Sequence, residues 1–227
     1  MNISKYTTLV FDCDGVVLDS NQIKTEAFRT AAQPFGEAAA EALVAHHVAN
    51  GGISRYAKFA HFIDYILPRH APGQPEPETE QMLATFAAEV RAGMERCSVA
   101  EGLEDLRKAT ADACWLIVSG GDQAELRNIF EQRRLARLFD GGIFGSPDTK
   151  AKILEREIHQ GNVRFPALFL GDSRHDHEAA LGSGLDFVFV HRWTEFQGWK
   201  AYCRAHSVNV IRQLGDLLSA EISVSNA

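Results

Sequence analysis

The chain has 227 residues, 45% of them hydrophobic and 23% charged, and a formal net charge of −7. That length supports one sizeable core plus a smaller lobe, and the composition excludes a disordered chain. An acidic chain with no basic cluster argues against nucleic acid as a partner and against an anionic membrane surface.

The first apolar run, residues 7–11, is too short for a signal peptide and ends on acids. No stretch approaches the roughly 18–20 apolar residues that span a bilayer. The four cysteines, Cys13, Cys97, Cys114 and Cys203, form no CxxC pair and no dense framework. Reduced thiols in a cytoplasmic protein are expected.

Short β-branched runs at 7–11, 114–118, 142–144, 167–170 and 187–190 read as strands. Each is apolar on both faces, as strands of a helix-covered parallel sheet are. Amphipathic segments at 103–111, 123–134, 150–160 and 175–183 alternate with the later runs. The alternation predicts an α/β fold with a doubly wound parallel sheet. The interval after the first strand breaks the rhythm. It reads as four helices, at 22–32, 37–49, 54–67 and 79–96, punctuated by Gly51-Gly52 and by the proline-rich stretch 68–77. The expected organisation is an α/β core from 1–17 and 99–227, with an inserted helical lobe at 18–98. The small, polar residues 219–227 are expected to fray.

Polar residues cluster just after the predicted strands: Asp12 and Asp14, then Ser119 with Gly120-Gly121, then Lys150, then Asp172 and Asp176. In a parallel sheet all these strand ends lie on one edge, where ligands bind. A carboxylate attacking a phosphate dianion meets like-charge repulsion, which a divalent cation, a lysine and N–H donors offset. Asp12, Asp172 and Asp176 offer hard oxygen ligands suited to Mg²⁺. Lys150 offers positive charge, and Ser119 with the N–H groups of Gly120-Gly121 can cradle phosphate oxygens, as small residues at a helix start do. Asp12 and Asp14 stand two apart, with Gly15 allowing a sharp turn. One can attack phosphorus while the other handles protons.

The segments Asp12-Cys13-Asp14-Gly15-Val16-Val17 and Gly171-Asp172-Ser173-Arg174-His175-Asp176, with Ser119 and Lys150 in order between them, resemble the four motifs of the haloacid dehalogenase superfamily. The helical insert is similar to the C1 cap of its phosphoglycolate phosphatase and β-phosphoglucomutase-like branch. The resemblance spans residues 6–191. It implies Asp12 as a nucleophile that becomes an aspartyl phosphate. Asp14 would be the general acid/base, its carbonyl facing the metal. It further implies Ser119 as a phosphoryl contact, Lys150 as the stabilising cation, Asp172 as an Mg²⁺ ligand, and Asp176 as a ligand or its support. The second acid, Asp14, favours phosphate ester hydrolysis over dehalogenation. The segment Gly51-Gly52-Ile53-Ser54-Arg55 resembles a cap loop that carries a substrate-contacting arginine. Arg55, with Lys58 one helical turn on, is the implied cap contact. The departures are Val16-Val17 after the glycine and the lack of a proline after Lys150, with Lys152 close by.

Other readings of the same residues are weaker. A Ca²⁺ loop needs its glycine later and helices on both sides. A cysteine phosphatase needs an arginine about six residues after Cys13, where Asp19 stands, so Cys13 is expected to be a small packed residue. His175 and His177 are expected as surface histidines pointing apart. Trp193, Phe196, Trp199 and Tyr202 are expected to pack in the core or over the sheet edge. The expected function is hydrolysis of a small phosphorylated metabolite, a sugar phosphate or a small phosphorylated acid. The alternatives are a sugar phosphomutase and, from a different class, a non-enzymatic phospho-acceptor or binding module.

Overall fold

Strand β1 (Thr8–Phe11) is buried along its whole length, because both its faces are covered by helices. Leu9 and Phe11 point to one side of the sheet and Val10 to the other, the period of two that an extended chain imposes. The computed structural model describes residues 2–75 and 77–218; the segment 219–227, expected to fray, lies outside them.

Five further strands follow: β2 (Cys114–Asp122), β3 (Gly142–Ser146), β4 (Ala167–Gly171), β5 (Asp186–Val190) and β6 (Asn209–Ile211). They form one sheet in the order β3-β2-β1-β4-β5-β6, parallel throughout. Helices α6 (Leu103–Ala109) and α7 (Gln123–Gln132) bury Leu106, Leu126 and Phe130 against Leu9, Phe11 and Trp115 on one face. Helices α8 (Lys150–His159) and α9 (Arg174–Gly182) bury Ile153, Leu154 and Ala180 against Val10 and Phe169 on the other. This is the expected doubly wound α/β architecture. The order reverses between β1 and β4, which opens a crevice at their C-terminal ends.

One strand runs well past its expected end, and a sixth is not among those expected from the sequence. Strand β2 does not end at Val118. It runs through Ser119-Gly120-Gly121 to Asp122, with a register shift against β3 between Val118 and Asp122. Helix α7 starts at Gln123 as expected, capped by Asp122, whose carboxylate accepts from the Ala124 and Glu125 N–H groups. Strand β6 has only three residues, too few for a periodicity to register. Helix α10 (Trp199–Ala205) packs beside it, with Trp199 stacked on Phe189 and Phe196 and Tyr202 around Cys203. Those three aromatics cover the sheet edge and Trp193 packs against the main core, both within the expectation.

Between β1 and α6 the chain forms helices α1 (Asn21–Ala32), α2 (Glu37–Ala49), α3 (Arg55–His61), α4 (Leu67–His70) and α5 (Thr79–Met94). The helix expected at 54–67 is broken. Residues Phe62–Ile66 form a wide turn in which the Leu67 N–H reaches Phe62 O, five residues back. Pro68 explains it, since its ring cannot donate and crowds the carbonyl four residues earlier. Phe28, Phe59 and Phe86 meet at ring separations of 4.4–5.9 Å in the centre of the insert. Burying each contributes roughly 1.5–3 kcal/mol. The two connecting strands run side by side: Asp19 N–H donates to Ser98 O at 3.0 Å and Ala100 N–H to Val17 O at 2.9 Å.

Candidate active site

Asp12 follows β1 directly and is 2% exposed. One carboxylate oxygen accepts from the Cys13 N–H at 2.7 Å. The other faces the Lys150 ammonium at 2.9 Å. Lys150 opens α8, capped by Thr149, and also pairs with Asp176. The lysine nearest the strand end thus enters the site, not Lys152. Asp176 sits at the third position of α9 in a capping box with Ser173. The Ser173 N–H and hydroxyl donate to its carboxylate at 3.1 and 2.6 Å, and its own N–H donates back to the hydroxyl. Asp172 follows β4 and accepts from the Asn21 side chain at 2.7 Å.

Oxygens of Asp12, Asp172 and Asp176 lie within 4.8 Å of one another, all buried. Three carboxylates around a single ammonium leave two negative charges unmatched if all are ionised. Burial pushes Asp12 upward, with Asp176 and Asp14 adding to it against the pull of Lys150. Burial pushes Asp172 well up too, reinforced by Asp12 and Asp176. Lys150 goes the other way: burial lowers it, but the two carboxylates outweigh that and hold it above its usual range. The cluster has the charge, the hard oxygens and the spacing for a divalent cation.

Asp14 stands apart from this cluster. Its carboxylate accepts from the Ser20 hydroxyl at 2.6 Å and pairs with Lys24. Burial raises it, yet the Lys24 charge and both hydrogen bonds win and hold it below the usual carboxylate range. Gly15 adopts φ +75°, and any Cβ there would overlap the Asp172 carboxylate and the Asn21 amide. Only glycine lets β1's loop pass that close to β4's.

The expected site residues therefore meet at one edge, with some redistribution. Ser119 is fully buried and lies 3.5 Å from Asp14. Its hydroxyl accepts from the Gly121 N–H at 3.0 Å, so that donor is already engaged and does not stand at a helix start. Asp12, Asp14, Asp172, Gly120 and Gly121 line a cavity of about 450 Å³ that the insert closes from above with Phe28, His47, Arg55, Lys58 and Phe86. Gly120 touches the insert directly: a Cβ there would overlap the Gly52 carbonyl.

Arg55 and Lys58 both reach the cavity, and both are buried. Arg55 makes a two-pronged pair with Glu125 of α7, one arm at 3.0 Å. Tyr56 O–H beside it reaches Asp122 at 3.0 Å. Lys58 Nζ lies 2.6 Å from His47 Nδ1. The histidine expectation needs correcting. His177 is buried, with Nδ1 2.8 Å from Tyr202 O–H, because α9 lies flat on the sheet. His175 does point elsewhere, into the cavity beside Gly52. Cys13 is packed and unpaired, as expected.

Residues not singled out from sequence also shape the site: Ser20, Asn21, Lys24, His47 and Glu125. Asn21 and Lys24 carried a signal, since polar residues three apart share a helix face and this helix follows the Asp12 loop. His47 and Glu125 carried none.

Fold and site together place a buried cluster of acids and a lysine at the switch point of a parallel sheet. A family model for haloacid dehalogenase-like hydrolases matches residues 6–184, and the chain belongs to that family. No curated protein matches the sequence significantly. Among solved structures, a predicted phosphatase from Clostridium acetobutylicum shares the fold at TM-score 0.70 and 20% identity, covering 95% of this chain and 97% of that one. A predicted phosphoglycolate phosphatase from Haemophilus somnus 129PT gives 0.71 and 14%, covering 95% and 98%. CbbY from Rhodobacter sphaeroides, in complex with phosphate, gives 0.66 and 19%, covering 93% and 96%. No helix among the described residues is long and apolar enough to cross a membrane.

Proposed function

We propose that the protein is an Mg²⁺-dependent phosphatase acting on a small phosphorylated metabolite, with Asp12 as nucleophile. The observation that carries it is Lys150, buried between Asp12 and Asp176 with Asp172 in reach. Asp12, Asp172 and Asp176 would hold the metal, with the Asp14 carbonyl assigned by family resemblance. Bound there, Mg²⁺ supplies positive charge against the phosphoryl oxygens.

The remaining steps belong to the chain's own groups. The Asp12 carboxylate oxygen forms a bond to phosphorus as the ester P–O bond breaks. Lys150 orients Asp12 and offsets charge. Asp14 gives a proton to the leaving oxygen, then takes one from the water that attacks phosphorus and breaks the P–O bond to Asp12. Lys24 holds Asp14 ionised at rest, the state that takes a proton from water. Entry of a phosphate dianion raises Asp14's hold on a proton, which loads the acid for the first step. Ser119 and Gly120 border the phosphoryl position.

Residues 18–98 would act as a cap, hinged at 16–21 and 98–102, that shuts out bulk water. Arg55 and Lys58 are its cationic contacts toward the cavity. A cavity of about 450 Å³ suits a sugar phosphate or small phosphorylated acid. The four unpaired thiols fit a reducing cytoplasm. A screen of phosphate esters with and without Mg²⁺ tests the reading. Phosphate release without a bisphosphate activator supports a hydrolase. Phosphate transfer within one sugar identifies a mutase, and no turnover of any ester contradicts both.

A further inference from the structure

The insert buries a lysine whose nearest polar partner carries no negative charge. Lys58, on the second turn of α3, is 2% exposed. Its ammonium lies 2.6 Å from His47 Nδ1 and 5.4 Å from the centre of the Phe28 ring. Every other cation at the cavity has an acid. Lys24 has Asp14, Arg55 has Glu125 and Arg174 has Glu178, while Lys150, just behind it, has Asp12 and Asp176. Lys58 has no ion pair among the described residues.

The surroundings reinforce the imbalance. The titratable groups that act on Lys58 or feel its charge, His47 apart, include Lys24 of α1, Asp14 after β1, Glu195 after β5, Lys150 of α8, His46 of α2 and His175 of α9. Helix α5 presents only the Phe86 ring to this wall, and Arg55 stands over that ring at 4.7 Å. Glu195 is held by the Thr25 hydroxyl at 2.7 Å. Burial, with Lys58 next to it, keeps the His47 imidazole far below its usual range and therefore neutral. Burial, then Lys24, lowers the Lys58 ammonium to about 7. A buried charge without a counter-charge is costly, and a ligand that brings one removes the cost.

We infer that the Lys58–His47 pair is the receptor for a second anionic group on the substrate, so that the preferred esters carry a carboxylate besides the phosphate. Arg55 does not fill this role, because Glu125 already occupies both its arms. The amine takes up a proton as the anion arrives, and His47 stays neutral as its fixed neighbour. The inference rests on the phosphatase reading only for which end of the substrate reacts.

The test uses 3-phosphoglycerate and glycerol 3-phosphate, of equal length but differing in the carboxylate. Binding is measured calorimetrically at pH 8 with Mg²⁺, in buffers of different protonation enthalpy, on the Asp12→Asn protein so that turnover does not intervene. The acid ester should bind at least about tenfold tighter. It should also take up as much as about one more proton than the alcohol ester, whose phosphate alone loads Asp14. Adding Lys58→Met should abolish both the preference and the excess uptake. Adding Lys58→Arg, whose charge is permanent, should keep the preference and lose the excess uptake. Equal affinities, including no binding of the acid ester, overturn the inference, as does an excess proton uptake by the acid ester that survives Lys58→Met. Failure of the phosphatase reading shows separately, as absence of phosphate release by the unmodified protein.

Discussion

The core and the insert each bury one lysine, and they hold it in opposite ways. Lys150 sits between two carboxylates, and its charge is fixed by them. Lys58 sits against an imidazole and an aromatic ring, and its charge is conditional. The core is therefore built to lack a cation, and the insert to lack an anion. In the proposed reading a metal-bound phosphorylated acid would supply both, and the contrast would separate the part that reacts from the part that selects.

The contrast can be broken from the core side first. Chelating divalent cations should lower turnover by about 10³-fold or more, with recovery on adding Mg²⁺, read as phosphate release. Lys150→Met strands Asp12 and Asp176 in a dry site. It should lower kcat by roughly 10²–10³-fold and destabilise the protein by about 3–5 kcal/mol in denaturant melts.

Lys58→Met should do the reverse to stability. The folded protein holds Lys58 near 7, against 10.5 for an ordinary lysine, so the unfolded chain binds the proton more tightly. The penalty is complete below about pH 7 and fades as pH rises toward 10.5. The substitution should therefore stabilise the unliganded protein at pH 6, by roughly 1–3 kcal/mol, with the gain shrinking through that window. A melt series across pH reads it, and a gain that grows with pH contradicts the account.

The smallest effect concerns the seam between the two regions. Glu125→Gln weakens its pair with Arg55 and should cost about 1 kcal/mol of stability. A double-mutant cycle with Arg55→Lys should show the two coupled, whereas Glu125 and Lys58 should be additive.

Much of the core was legible in the sequence, and for a physical reason. Strand ends in a parallel sheet share an edge, so Asp12, Ser119, Lys150 and Asp172 had to converge once their strands were found. The charges that complete the picture were harder to see. Asn21 and Lys24 carried only a weak signal, a shared helix face just after the Asp12 loop, and their partners show once α1 is placed beside it. The partners of Arg55 and Lys58 depend on how the insert packs on itself and on α7, and no local periodicity encodes that. The Ser119-Gly120-Gly121 segment misled for a related reason. Its glycines suggest a helix start, but pairing with β3 keeps it extended to Asp122.

The central claim is that Asp12 carries the phosphoryl group in passing. Acid quenching during turnover of the best ester, followed by mass analysis of the peptide containing Asp12, tests it directly. The account predicts one phosphoryl group on that peptide, removable by hydroxylamine and absent from the Asp12→Asn protein, which should also be inactive. Full turnover with no modified peptide, or an Asp12→Asn protein that keeps its rate, would contradict it.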